Sequence, residues 1–265
     1  MTAVAYGIAM PTLRGLLVPH QLSESEAFFL RLATQPDATR KTRYTNLITA
    51  LVSAGIWAKL DALYILAARD QATALTNLVQ SSYGGSATNS PSFTADRGFA
   101  GGGTKYISTG FNPTTASAAK FTRNSASIFV WSLTSGTDAG DGFGYVNGNV
   151  SATLTPRYSD GKNYVLVNDA TTYSATVADG SGLLHGTRNS SSTKDIYKSG
   201  SAQASGFSAT SIALTNSTLT ILKGIDGSYS GTIAAAGLGS GMTSQNAADL
   251  YSALHAYLQA VAGVP

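Results

Sequence analysis

Apolar and polar positions follow two rhythms along the chain, and the change falls near residue 80. Before it, apolar residues recur at helical spacing. Ser23 stands before Glu24 and Glu26, an N-cap with acidic residues in the first turn, and Phe28, Phe29, Leu30 and Leu32 follow before Pro36 stops the segment. Asp37 can cap a second helix whose Tyr44, Leu47, Ile48, Leu51 and Val52 share one face, with Gly55 as its stop. Trp57, Leu60, Leu63, Tyr64 and Ala67 form one stripe and predict a third helix. Residues 21–80 thus read as a compact helical domain with short connections. Residues 1–20 read as an extended arm, because Pro11 and Pro19 prevent a long helix.

From residue 81 the period shortens. A turn-rich stretch leads into β-rich segments at 104–111, 127–133, 143–147, 163–168, 171–177, 195–200, 210–216 and 218–224, with Gly, Asn and Asp between them. Asp160-Gly161 and Asp179-Gly180 are hairpin-type dipeptides. A last helix begins at Thr243 or Ser244 and carries Ala247, Leu250, Tyr251, Leu254, Leu258 and Val261 on one stripe. The pattern predicts a mainly β chain, an antiparallel sandwich over about 86–262 closed by that helix.

Composition narrows the classes. Charged residues make up 12% of 265 positions, about half the usual share, and Ser and Thr, 63 together, fill the gap. That polar, uncharged chain with 28 Gly suits many turns and short strands. No Cys is present, which excludes a disulfide scaffold, a thiolate metal site and a thiol nucleophile. A net charge of +3 is too small to argue for nucleic acid. No run of eighteen apolar residues predicts membrane insertion. Residues 1–18 lack the basic start of a secretory leader and are interrupted by Pro11 and Arg14, so synthesis in the cytoplasm is expected.

Residues 90–113 (SPSFTADRGFAGGGTKYISTGFNP) resemble the opening of the concanavalin A-like jelly roll in phage and prophage virion proteins. Residues 57–70 (WAKLDALYILAARD) look like the helix that precedes it there. Residues 182–200 resemble the laminin-G-like hairpin ending in Y-x-x-G, 227–243 the strand after it, and 245–261 the closing L-Y-x-A-L helix. The resemblance implies a concanavalin A-like β-sandwich and a non-enzymatic structural role, tail or minor structural, on a virion. It also implies other virion proteins as partners. On that reading the helical part anchors or oligomerises, and the jelly roll is displayed for decoration or host adhesion. The alternative is a lectin-like module whose main task is to bind host-surface polysaccharide.

Candidate chemistry is sparse. Glucanases of the fold that the chain resembles use a strand with two Glu and an Asp, whereas Glu24 and Glu26 are the only glutamates here. Asp138, Asp141 and Asp160 are flanked by glycine as turn formers are, so no catalytic residue is assigned. Asp138 and Asp141 are the oxygen donors a calcium ion would use, against turn formation as the plainer reading, and no other cofactor is expected. A sugar would use Tyr145, Asn147, Asp160, Tyr164 and Asn168, aromatic faces beside amides and a carboxylate. In alternating strands half of the aromatics must face the core, and Trp131 is expected there. His20, His185 and His255 read as packed or surface imidazoles. For homo-oligomer assembly the candidates are Leu13, Leu16 and Leu17 of the arm and the basic cluster Arg40, Lys41 and Arg43. That cluster equally reads as a solvated helix face, and the arm as a segment packed on its own subunit.

Overall fold

The structure, a computed structural model, describes residues 22–147, 150–214, 216–224 and 226–265. The arm at 1–20, with Leu13, Leu16, Leu17 and His20, lies outside the described residues.

Two helices open the described chain as their caps predict. In α1 (Glu24–Leu30) the Ser23 hydroxyl accepts the Glu26 N–H while the Glu26 carboxylate accepts the Ser23 N–H at 2.8 Å, a closed capping box. In α2 (Ala38–Ser53) Asp37 accepts the Arg40 N–H at 2.9 Å, and Gly55 takes the left-handed φ of +67° just beyond the end.

The expected third helix is a strand. β1 (Leu60–Ile65) is buried at all six positions and pairs with β17 (Thr232–Gly239). Ala62, Tyr64 and Leu66 enter one core and Leu63, Ile65 and Ala67 the other. A strand covered on both faces presents a continuous apolar run, which also satisfies a helical stripe. The short α3 (Gln71–Leu75) follows, capped by Asp70.

Two antiparallel sheets face each other. The larger runs β13 (Ser201–Ser208), β12 (Thr193–Lys198), β11 (Gly182–Arg188), β6 (Ala126–Ser132), β17, β4 (Gly98–Ala100) and β3 (Ser92–Thr94), with β1 also on β17. The smaller runs β10 (Tyr173–Thr176), β9 (Lys162–Asp169), β8 (Val150–Thr155), β7 (Phe143–Asn147), β14 (Thr220–Ile221), β5 (Tyr106–Ser108) and β2 (Ser86–Thr88). A small ribbon joins β15 (Lys223–Gly224) to β16 (Gly227–Ser228). Asp160-Gly161 does turn β8 into β9, with Gly161 at φ +80°. Asp179-Gly180 instead carries the chain from the small sheet to the large one, so it is no hairpin. The strand expected at 210–216 is irregular chain in its described part.

The two cores make three layers. Between the sheets lie Phe99, Ile107, Ile128, Phe143, Val165 and Leu238, among others. On the outer face of the large sheet, Phe129, Trp131 and Leu183 meet Leu47 and Leu51 of α2 and Leu250, Leu254 and Leu258 of α4 (Ser244–Ala262). Thr243 caps α4 as predicted. The N-terminal helices and the C-terminal helix therefore share one layer.

One buried ionic cluster ties the sheets together. Asp169 of β9 accepts Arg188 Nη2 of β11 at 2.8 Å and Lys194 Nζ of β12 at 2.9 Å, all three side chains being excluded from solvent. Spare donors reach carbonyls: Arg188 Nε to Val167 at 2.9 Å and Lys194 Nζ to Thr171 at 2.7 Å. Burial lowers the Lys194 pKa and the Asp169 charge opposes that shift. At the free edge, β13 pairs with β12 through two register shifts, one on either side of Ile196.

Candidate functional site

Strand alternation on the small sheet builds an open groove. In β5, Ile107 faces the core, so Tyr106 and Ser108 face outward. In β14, Ile221 is inside and Thr220 outside, opposite Gly144 of β7. A Cβ on Gly144 would stand 2.8 Å from Thr153 Cγ2, so glycine keeps this stretch of the floor low.

The groove encloses about 620 Å³. At one end the Asn112 amide donates to Asn216 Oδ1 at 2.6 Å, and the Thr114 hydroxyl donates to Asn112 Oδ1 at 2.9 Å. The Thr220 hydroxyl lies 2.8 Å from the Gly144 and Lys223 carbonyls. Lys223 Nζ stands 4.9 Å over the Tyr106 ring, a cation–π contact. Tyr145, inward-facing and 3% exposed, closes the core side. Among the described residues no carboxylate lines the groove.

The structure does not gather the predicted sugar residues. Tyr145 lies at the groove, and Asn147 ends β7 with its side chain outside the described residues. Asp160 and Tyr164 pair at the start of β9, where the phenol donates to Asp160 Oδ2 at 2.6 Å. That bond holds the Asp160 carboxyl below the usual carboxylate range and raises the Tyr164 phenol. Asn168 needs correction as a ligand group. It is fully buried near the other end of β9, at φ +54°, and its amide donates to the Thr122 carbonyl at 3.2 Å.

The carboxylates considered for calcium hold protein donors. Asp138 accepts the Gly140 N–H at 2.7 Å and the Ser230 N–H at 2.9 Å, and also bonds the Ser230 hydroxyl. Asp141 is buried and accepts the Thr155 hydroxyl and the Asp226 N–H. Among the described residues no group of three or more His, Cys, Asp or Glu side chains is placed to hold a metal.

The basic cluster of α2 does not form one solvated face. Arg40 is 8% exposed and forms an ion pair with Asp96 at 2.8 Å. Lys41 Nζ stands 5.6 Å over the Phe29 ring, and Arg43 is half-buried between α2 and α4. Burial costs Arg40 some of its basicity, but the neighbouring Tyr257 and Asp96 more than restore it. Trp131 is in the core as expected, stacked 5.4 Å from Tyr251, and His255 lies 6.0 Å from the same indole.

Tyr106, Asn112, Asn216 and Lys223 escaped the sequence reading. Tyr106 and Lys223 lie in segments expected as strands, but only the sheet order brings β5 beside β14.

Fold and groove together define an antiparallel β-sandwich with an open groove on its smaller sheet. No protein-family model and no curated protein match the sequence. Among solved structures the chain is similar to the botulinum neurotoxin serotype D binding domain, with a TM-score of 0.56 and 12% identity over 77% of this chain and 53% of that one. It is also similar to the Trypanosoma rangeli sialidase, with a TM-score of 0.55 and 9% identity over 83% of this chain and 40% of that one. The same sialidase in complex with sialic acid aligns with a TM-score of 0.54 and 13% identity, over 75% of this chain and 33% of that one. The chain thus spans about half the length of the toxin domain and less of the sialidase. At these identities the likeness establishes the fold. No helix among the described residues is long and apolar enough to cross a membrane.

Proposed function

We propose that the chain is a non-catalytic carbohydrate-recognition module that takes a host-surface saccharide in the groove over β5, β14 and β7. The carrying observation is the groove's composition: the Tyr106 ring beside paired amides and hydroxyls, with no carboxylate among its described lining residues. Rings cover the apolar faces of a pyranose while amides and hydroxyls meet its hydroxyl groups. Glycoside hydrolysis asks instead for two carboxylates about 5–9.5 Å apart across the substrate. The fold shared with a toxin binding domain and a sialidase supports a recognition role.

The setting we propose is a bacteriophage particle, with other virion proteins as partners. It rests on the resemblance of residues 90–113, 182–200, 227–243 and 245–261 to virion jelly rolls. A purely structural virion role is the second reading. It is favoured by Leu22, Leu30 and Val52, the exposed large apolar side chains of the described chain, which lie on or beside α1 and α2. Binding to a panel of bacterial surface polysaccharides tests the first reading. Saturable binding, about millimolar or tighter and lost in Asn112→Ala, supports it. A blank panel with tight docking to virion proteins replaces it with the structural role.

A further inference from the structure

We propose that the groove selects acidic saccharides, with Lys223 as the residue that reads the negative charge. This deepens the recognition reading above and rests on it. Lys223 is the one charged side chain among the described residues lining the groove. Every other lining group is neutral, so no acidic residue within the groove competes for its ammonium. The ion pairs of the described residues join Arg40 to Asp96, Arg69 to Asp37, Lys162 to Asp160, and Arg188 and Lys194 to Asp169, and none includes Lys223.

Neither Asp141 nor Asp226, the carboxylates close to this ribbon, is among the residues lining the groove. Asp141, packed against Gly224, is buried and holds the Thr155 hydroxyl and the Asp226 N–H. Asp226 is exposed, and its charge is felt by Tyr164.

Position matters as much as charge. The ammonium rests 4.9 Å from the centre of the Tyr106 ring, which fixes a long, otherwise mobile side chain against the groove wall. The opposite end presents neutral groups, among them the Asn112 and Asn216 side chains with Ser217 and Thr218. A ligand lying along the groove would meet neutral amides with its hydroxyls and place its acid group over Lys223. The chemistry that fits is a sugar carrying a carboxylate, as in uronic or nonulosonic acids. A charge-assisted hydrogen bond to such a group is stronger than any neutral contact the groove offers.

The test uses the full chain and a matched pair of probes, a polyuronate oligosaccharide and its carboxyl-reduced neutral form, titrated calorimetrically. Wild type should bind the acidic form about tenfold more tightly, as the loss of one charge-assisted bond implies. Lys223→Met should remove that preference, while Lys223→Arg should retain it. Raising salt should weaken only the acidic probe. Equal affinity of wild type for both forms, or an unchanged preference in Lys223→Met, overturns the selection while leaving the recognition reading intact. Failure of both probes and of the whole polysaccharide panel overturns both. Matching thermal unfolding of the variants and wild type secures the comparison.

Discussion

Acidification should expose a specific weakness beneath the helical layer. His185 lies on β11, 1% exposed, with Tyr197 stacked at 5.6 Å and Phe129 edge-on at 5.9 Å. Its Nε2 is 3.3 Å from the Ser127 hydroxyl, and Nδ1 has no hydrogen-bond partner. Burial pushes the imidazole down to about 3 from the ordinary 6.5. Between those values the unfolded chain holds a proton that the folded chain does not, so stability falls as the pH drops below about 6.5 and the loss ends near pH 3. At about 1.36 kcal/mol per pH unit, the loss at pH 4.5 is about 2.7 kcal/mol. That is a large part of the ~5–15 kcal/mol that holds a typical domain together.

The assay is urea unfolding of wild type and His185→Phe at several pH values between about 7 and 4.5. Phenylalanine keeps an aromatic ring between Tyr197 and Phe129, and the Ser127 hydroxyl keeps its 2.7 Å bond to Thr187. His20, His255 and every carboxylate are common to both proteins, so their contributions cancel in the difference. The variant should lose about 2.7 kcal/mol less than wild type over that interval. Parallel stability profiles would refute a buried neutral imidazole.

The ionic cluster and two backbone positions give further expectations. Asp169→Asn leaves Arg188 and Lys194 buried without a counter-ion and should cost about 3–5 kcal/mol in urea unfolding at neutral pH; a loss below about 1 kcal/mol would contradict the cluster. Gly186→Ala places a Cβ 2.6 Å from Val165 Cγ1 and 2.8 Å from Val167 Cγ2, so it should cost about 1–3 kcal/mol, part of which Val165→Ala should recover. Thr243→Ala removes the cap of α4 and should lower stability by about 1 kcal/mol, with Thr243→Ser close to wild type by the same measurement.

Local chemistry was legible wherever a single element settles its own form. Ser23, Asp37 and Thr243 announce their helices because a cap acts within three residues. The run at 127–133 reads as a strand through its β-branched and aromatic residues, and β6 spans Ala126–Ser132. Leu60–Ile65 misleads because its neighbours, β17 on one edge and two cores on its faces, come from distant sequence. The candidate site was less legible for a related reason. Asp160 and Tyr164 are close in sequence and do pair, but Tyr106 and Lys223 meet only through sheet order. Asn168 shows the opposite error: an amide suited to a sugar closes a buried turn of backbone instead.

The open edge of the large sheet bears on how densely such chains can be crowded. β13 carries no charged residue and no proline across Ser201–Ser208, and a flat edge of that kind would template the pairing of one chain with the next. Its two register shifts against β12 bend the strand and interrupt the even row of free amides and carbonyls that a partner would need. Irregular pairing therefore does here what lysines or prolines do on other sheet edges. Along this edge a second chain finds no regular ladder to extend, and the groove lies on the opposite sheet, away from it.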